Sequence, residues 1–193
     1  MVDKKNALYL AGKNIFISKG YKETNIADIT KQAGFATGTF YNYYVSKDHL
    51  FMEIFLDENA KLKKKILKKT DLSADPVQVM QTMMALNYQG MMANPILKEW
   101  YNRDVFSKIE NNYRKENGPR ATDFLYDVFL EVIKRWQQEK KLRDDISPEM
   151  VMAIFGALIT VDTHKEEIGI RHFPELMNYL GEFIMKALMD KPK

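Results

Sequence analysis

The sequence contains no cysteine. It can therefore form neither a disulfide framework nor a thiolate metal site, which fits a reducing compartment. No apolar run approaches the roughly 18 residues of a membrane-spanning helix, and the first residues lack the long apolar core of a secretory signal. With 193 residues, 46% of them hydrophobic, the chain can bury a sizeable core. We therefore expect a soluble, cytoplasmic protein.

The sequence also lacks the motifs of enzymes. It has no phosphate-binding loop, dinucleotide fingerprint, nucleophile elbow or zinc-ligand spacing. Its three histidines, His49, His164 and His172, are scattered. His164 near Asp162 and Glu167 has some acid–base character, but solvated ion pairing is the expected role of such residues at a helix end. We predict no enzymatic activity, no cofactor and no metal site.

Positive charge is concentrated in the first part of the chain. Residues 1 to 70 carry 13 lysines and 7 acidic residues, a net charge of +6, whereas the remaining residues have a net charge of −3. A basic excess of this kind suits a nucleic-acid partner. The run Lys63, Lys64, Lys65 is by itself interpreted as a solvated helix face.

The stretch from Thr24 to Leu50 has the pattern of two short helices joined by a tight turn, followed by the start of a longer helix. Ile26, Ile29 and Ala33 recur at helical spacing, and Gly34 ends that pattern. This order predicts a helix-turn-helix, whose second helix enters the major groove of DNA. We expect that second helix from about residue 36 to residue 43.

One segment, GFATGTFYNYYVSKDHLF, closely resembles the signature of the tetracycline-repressor (TetR) family of bacterial transcriptional regulators. The matching residues are Gly34, Gly38, Thr39, Tyr41, Tyr43, Ser46, Lys47 and Leu50. Ala36 departs from the usual Ser, Tyr44 from Phe and Asp48 from Glu. The resemblance is strong over the first fifty residues and extends beyond them only in length and helical character. It implies a DNA-binding transcriptional regulator.

The predicted second helix of the motif has one apolar face and one polar face. Phe40 and Tyr44, four residues apart, are expected in the core, although packing in a small core is an alternative for Tyr41 and Tyr43 too. Asn can pair with adenine, Thr can contact the thymine methyl, tyrosine hydroxyls can reach phosphates, and Gly38 lets the backbone approach closely. Thr24 or Asn25 is the expected cap of the preceding helix and can also meet a phosphate, and the resemblance assigns a phosphate contact to Lys47. The predicted DNA-binding residues are therefore Thr24, Asn25, Thr37, Gly38, Thr39, Tyr41, Asn42, Tyr43 and Lys47.

Two departures affect how DNA would be read. Ala36 cannot cap the recognition helix as Ser would, so Thr37 is the candidate substitute. No arginine occurs in residues 1 to 50, so the common contact between arginine and guanine is unavailable. We therefore expect A·T-rich contacted bases.

The rest of the chain is predicted to be all-α. Helices are expected at 3–20, 46–69, 76–92, 95–104, 105–116, 119–140, 148–165 and 173–190, with proline at or near several starts. Gly12 is unusual inside the first helix, where close packing against another helix would explain it. We expect a helix-turn-helix DNA-binding domain at 1–50 and a helical effector-binding and dimerisation domain at 51–193, connected by the long helix that begins near Ser46.

Methionine and aromatic residues are dense in the second half. Such surfaces suit an adaptable cavity for a small apolar or aromatic molecule, although plain core packing is the alternative. The predicted ligand-binding residues are Met80, Met84, Asn87, Tyr88, Met91, Trp100, Tyr101, Phe106, Phe124, Phe129 and Trp136.

The last two predicted helices carry small and apolar stripes. The resemblance implies that they pair with their copies in a four-helix bundle, and packing within one chain is the alternative. The predicted dimerisation residues are Ala153, Gly156, Ala157, Thr160, Leu176, Leu180, Gly181, Ile184 and Leu188.

Together these features indicate a homodimeric, ligand-responsive regulator, a repressor that a small apolar or aromatic effector releases from a near-palindromic operator. The alternative is a small-molecule-binding or protein-interaction dimer that has lost DNA binding. Salt-dependent binding of duplex DNA distinguishes the two, because phosphate contacts weaken steeply as salt rises.

Overall fold

The computed structural model describes residues 3–102, 104–105, 108, 124–173 and 175–190, and these residues form an all-α fold without a strand. Their helices are α1 (Lys4–Glu23), α2 (Ile26–Ala33), α3 (Thr37–Phe40), α4 (Lys47–Lys69), α5 (Pro76–Ala93), α6 (Pro95–Lys98), α7 (Phe124–Gln138), α8 (Pro148–Thr163), α9 (Lys165–Ile168) and α10 (Glu175–Met189). Short 3-10 turns occupy Glu99–Tyr101 and Ile170–His172. Within this part of the chain, no helix is both long and apolar enough to cross a membrane.

Polar caps explain where several helices begin. The Asp3 side chain accepts a hydrogen bond from the Asn6 N–H at the start of α1, at 3.1 Å. Asn94 and Ser147 cap α6 and α8 in the same way, and proline follows each of them at the first helical position. The predicted stops before Pro95 and Pro148 are therefore confirmed. The prolines at 119 and 174, and most of the helix predicted at 105–116, lie outside the described residues.

Three helix ends differ clearly from the prediction. The helix predicted at 95–104 is α-helical only over Pro95–Lys98 and continues as the 3-10 turn Glu99–Tyr101. Helix α1 does not end at Gly20 but breaks there, with φ 79° and ψ 170°, and continues to Glu23. The Thr24 hydroxyl donates to the Gly20 carbonyl at 2.6 Å and stabilises this break. Helix α3 spans four residues rather than the expected eight, because Ala36 makes no side-chain cap and Gly38 favours helix weakly.

The chain divides into two compact units. The first comprises residues 1–62 and 90–121, and the second comprises residues 63–89 and 122–193. Both α4 and α5 contribute to each unit. The sequence predicts a different division, at residue 50, between a DNA-binding and an effector-binding domain. That functional boundary stays a prediction.

The core of the first unit forms where α1 packs with α2, α4 and α6. Phe16, Tyr21 and Phe51 make an aromatic cluster in which the Phe51 ring stands edge-on to each of the other two at 5.0 Å between centroids. Phe55 stacks on Trp100 at 5.4 Å. These buried rings bring the start of α4 against α1 and hold the helix-turn-helix in place.

A polar cluster in the first unit joins α1, α4 and the start of α6. Glu58 accepts hydrogen bonds from Lys13 at 2.7 Å, Lys61 at 2.9 Å and Asn94 at 2.9 Å. Burial raises the pKa of the Glu58 carboxyl, but the three hydrogen bonds outweigh that effect and lower the pKa to about 2. Glu58 therefore stays charged at neutral pH and connects three helices.

The second unit has its own apolar core between α5, α7, α8 and α10. Its buried residues are Val79, Val132, Ile133, Trp136, Leu142, Val151, Met185 and Leu188. Gly181 of α10 lies against α5, since a Cβ placed there would be 3.0 Å from the Met84 sulfur and 3.2 Å from the Met80 sulfur. This close approach explains a glycine inside α10.

Gly12 is explained by the same kind of packing, as the sequence predicted. A Cβ at Gly12 would lie 2.6 Å from Cδ2 of Leu50, which is fully buried. We expect Gly12→Ala to lower the free energy of unfolding by about 1–2 kcal/mol, because overpacking outweighs the gain of up to ~1 kcal/mol in helix propensity. Urea denaturation measures this change.

A double-mutant cycle with Leu50→Ala provides the control. If the two side chains clash, Gly12→Ala becomes neutral or stabilising once Leu50 is shortened. Equal effects of Gly12→Ala in both backgrounds would contradict the contact.

Candidate nucleic-acid interface

The turn between α2 and α3 depends on one glycine. Gly34 has φ 78° and ψ 29°, the left-handed conformation that side-chain-bearing residues rarely adopt. Its N–H donates to the Lys31 carbonyl at 3.2 Å, and the Phe35 N–H donates to the Thr30 carbonyl at 2.8 Å. These bonds close the end of α2 and turn the chain towards α3.

The inner face of the segment from α3 to α4 is buried. Phe40 and Tyr44 are fully or almost fully inaccessible, and their rings lie 5.5 Å apart. The Tyr44 hydroxyl donates to Glu53 at 3.3 Å. Burial and the neighbouring Glu53 carboxylate both raise the pKa of Tyr44, so the phenol stays protonated. The expected core role of these two rings is confirmed.

The outer face of the same segment is exposed. Tyr41 is 58% accessible and Tyr43 is 38% accessible, and Thr37 and Asn42 are also exposed, whereas Thr39 is half-buried. Neither tyrosine is buried in a small core. The structure therefore brings together, on one surface, a set of donors, acceptors and methyl groups that can face DNA.

Gly38 lies in the middle of this exposed surface. Its backbone has no positive φ, and a Cβ placed on it would have no heavy atom within 4 Å. Neither backbone strain nor packing against the described residues therefore requires glycine at this position. The close approach of DNA that the sequence predicts at Gly38 stays a prediction.

Asn25 and Thr24 precede α2 and have different surroundings. Asn25 is exposed, and its side-chain oxygen accepts the Asp28 N–H at 2.8 Å, which makes it the cap of α2. Thr24 is only 2% accessible. Its hydroxyl is used in the α1 break, so the phosphate contact predicted for Thr24 stays a prediction beside this structural role.

Lys47, at the start of α4, points inward to the α1–α2 connection. Its ammonium group donates to the Tyr21 and Thr24 carbonyls, each at 2.8 Å, and lies 4.3 Å from the Tyr21 ring centroid. Burial lowers the pKa of Lys47, and the Asp48 charge opposes this effect. Its phosphate contact likewise stays a prediction.

The predicted ligand-binding residues are divided between the two units. Met91, Trp100 and Tyr101 belong to the first unit, and Phe106 lies outside the described residues. Met91 and Trp100 are buried in that unit's core. Tyr101 lines an open pocket of about 480 Å³, together with residues such as Phe16 and Ile17.

The other predicted ligand-binding residues belong to the second unit. These are Met80, Met84, Asn87, Tyr88, Phe124, Phe129 and Trp136. Trp136 is 6% accessible and lies in the core, where its indole N–H has no hydrogen-bond partner among the described residues. Tyr88 is 39% accessible.

The predicted dimerisation residues also fall into two groups. The small residues of α8 are exposed, namely Ala153, Gly156, Ala157 and Thr160. On α10, Leu176, Leu180 and Ile184 are half-buried, whereas Gly181 and Leu188 are buried inside the unit. The exposed aromatic side chains of α10 are Tyr179 and Phe183, whose rings stack with 6.1 Å between centroids. Neither is among the predicted dimerisation residues.

An exposed recognition segment, set on a buried core and preceded by a capped helix and a glycine turn, defines a helix-turn-helix DNA-binding protein. Residues 8–54 match the family of bacterial regulatory proteins described as the tetR family. The chain is 28% identical to the HTH-type transcriptional regulator YwcC of Bacillus subtilis over 161 residues, which cover 77% of this chain and 70% of that one.

Other relatives agree with this assignment. The HTH-type transcriptional repressor KstR of Mycobacterium tuberculosis is 23% identical over 157 residues, which cover 70% of this chain and 71% of that one. The fold matches the solved structure of the fatty acid degradation regulator FadR from Bacillus halodurans with a TM-score of 0.59 at 16% identity, covering 98% of this chain and 96% of that one. The family match over residues 8–54 and these relatives support membership of the TetR family of DNA-binding transcriptional regulators.

The hydrogen bonds of Lys47 lead to a prediction about the stability of the fold around the helix-turn-helix. Replacing Lys47 by Met should lower the free energy of unfolding by about 2 kcal/mol, because two carbonyls lose a charged donor. Amide hydrogen exchange should accelerate in α2 and α3 before other helices. Lys31→Met, at an exposed position of α2, is the matched control. It should leave the free energy of unfolding and the hydrogen-exchange rates unchanged. Unchanged stability of the Lys47 variant would show that these hydrogen bonds do not hold the turn.

Proposed function

We propose that the chain is a homodimeric repressor that two helix-turn-helix units hold on a near-palindromic operator, and that a small apolar or aromatic effector releases it. The half-sites would lie about 34–36 Å apart, one turn of DNA. Gly38 carries the proposal, because it is an exposed glycine for which nothing inside the described chain accounts.

The exposed residues around Gly38 give the proposed contacts their chemistry. Asn42 can pair with adenine, Thr37 can place its methyl group against thymine, and Tyr41 and Tyr43 can reach phosphate oxygens. No arginine lies in residues 1 to 50, which favours A·T at the contacted positions. Asn25 at the start of α2 adds a phosphate contact near the positive helix end.

Pairing of two chains is supported by an exposed face on α8 and α10. Gly156 has open space where a Cβ would lie, and Ala153 and Ala157 are exposed beside it. Tyr179 and Phe183 are 50% and 58% accessible, large fractions for aromatic side chains on one helix. A second copy would cover these rings, and the small residues would let the helices approach closely.

An effector site is supported by the residues of the second unit. Buried indole N–H groups are usually hydrogen-bonded, so the Trp136 N–H is a donor that a ligand could use. Methionine side chains such as Met80 and Met84 adapt to ligands of irregular shape. An effector acts only through its different affinity for the DNA-binding and released states.

The first test is DNA binding by a Gly38→Ala variant. After an operator has been selected from random duplexes, the native protein should lose affinity steeply as salt rises, whereas a carrier without DNA function should bind weakly at any salt. Gly38→Ala should reduce operator affinity roughly tenfold or more, because a contact worth at least ~1.4 kcal/mol is blocked. Thermal stability should stay equal or rise slightly, since Ala favours helix. Undiminished operator affinity would remove the main support for this proposal.

The second test concerns the dimer. Phe183→Asp should convert the dimer to monomers at micromolar concentration, because a charge would be buried at the centre of the interface. Sedimentation velocity measures the change, and circular dichroism confirms that the helices persist. Tyr126→Asp, at an aromatic residue of α7 that is 43% accessible, is the matched control and should remain dimeric. A dimeric Phe183→Asp variant would place the interface elsewhere.

A further inference from the structure

Lys63, in the second unit, is partly buried, whereas the two lysines that follow it are exposed. Lys63 lies on the face of α4 that carries Asn59, Ile66 and Thr70, all three of which are buried. Lys64 is exposed with its ammonium 5.4 Å from the Phe124 ring centroid. The solvated-face interpretation of the lysine run is therefore wrong for Lys63, which is partly buried.

The contacts of Lys63 leave its charge incompletely paired. Its ammonium group donates to the side-chain oxygen of Asn87 on α5, and it forms no ion pair with a described carboxylate. Burial lowers its pKa to about 8, and the charge of Asp162 on α8 only partly opposes this effect. Asp162 also lies 3.8 Å from the ammonium of the fully buried Lys165. Within the described part of the chain, the Lys63 ammonium donates one hydrogen bond, although an ammonium group can donate three.

An apolar strip begins beside this ammonium. Asn87, Met84 and Met80 follow one another at helical spacing on one face of α5, and both methionine sulfurs lie against Gly181 of α10. At 1.5 Å per residue, this strip extends about 10 Å from the polar end at Asn87. A ligand following it would have one charged end and one apolar end.

We propose that Lys63 and Asn87 bind the acidic head group of the effector, and that the effector is an amphiphilic acid whose apolar chain lies along Met84 and Met80. The inference rests on the proposed ligand response and names the chemical class of the ligand. A carboxylate or phosphate oxygen would supply the missing counter-charge in a site of low polarity, where charge pairs are strong. The apolar chain would gain by leaving water.

The first experiment needs no ligand. If Lys63 is a ligand anchor, its charge destabilises the free protein, so Lys63→Met should raise the Tm by about 2–4 °C. Lys64→Met is the matched control and should change the Tm by less than ~1–2 °C. A lower Tm for Lys63→Met would show that the lysine holds the native fold and would overturn the inference.

The second experiment measures binding of three probes with one chain length. Dodecanoate supplies a carboxylate, dodecanoyl-coenzyme A supplies phosphates, and dodecanol is the neutral control. Titration calorimetry below the critical micelle concentrations should show that at least one acidic probe binds the native protein more tightly than dodecanol. Its Kd should rise roughly 10- to 100-fold in Lys63→Met, the loss expected for one charged hydrogen bond. Lys63→Arg and Lys64→Met should stay within roughly tenfold of the native Kd.

The acidic probe that depends on Lys63 identifies the source of the acidic group. Equal affinity of the native protein for dodecanol and both acids, or acid binding that Lys63→Met leaves unchanged, would overturn the inference. Operator release separates the two proposals. If a neutral compound releases the operator while neither acid binds, the ligand class is wrong and the repressor proposal stands. If duplex DNA is not bound at any salt, the repressor proposal fails, and the acid titration still decides the role of Lys63.

Discussion

The surface that we propose faces DNA depends on one ammonium group inside the first unit. Lys47 begins α4, and it donates to carbonyls at the end of α1 and just before α2. Three helices therefore meet at a single charged donor, which also lies over the Tyr21 ring. Because α3 is only four residues long, its orientation comes from this frame and from the buried rings of Phe40 and Tyr44 rather than from its own hydrogen bonds.

Much of this frame follows from the sequence. Caps such as Asn25 and Asn94, the turn at Gly34 and the tight packing at Gly12 are local signals, and local signals can be read in one chain. The break at Gly20 is different. It needs the Thr24 hydroxyl and the Glu99 side chain, which accepts the Tyr21 N–H at 3.3 Å from 78 residues further along the chain. The spacing of residues around Gly20 does not reveal a partner so distant in sequence, so the sequence alone places the end of α1 too early.

In the candidate sites too, some features follow from the local sequence and others do not. Phe40 inside and Asn42 outside follow from helical spacing, because a short helix on a core has only two faces. The Met and aromatic residues cannot be sorted in this way, since a core and a cavity have the same composition. Composition therefore places Met91 and Trp136 in one predicted ligand site, although they belong to the cores of different units. Lys63 could have been found, because it completes the stripe of Asn59, Ile66 and Thr70 on α4.

Lys47 and Lys63 are both partly buried on α4, and in each case burial lowers the pKa. What differs is the number of acceptors around the ammonium. Two carbonyls and an aromatic face surround Lys47, so its desolvation is compensated inside the chain, and the residue can serve as a fixed support. Among the described residues, a single amide oxygen accepts a hydrogen bond from Lys63, so its desolvation is compensated only in part. The number of hydrogen-bond acceptors therefore distinguishes Lys47, a structural cation, from Lys63, for which we propose a ligand, whereas burial and position on α4 do not distinguish them.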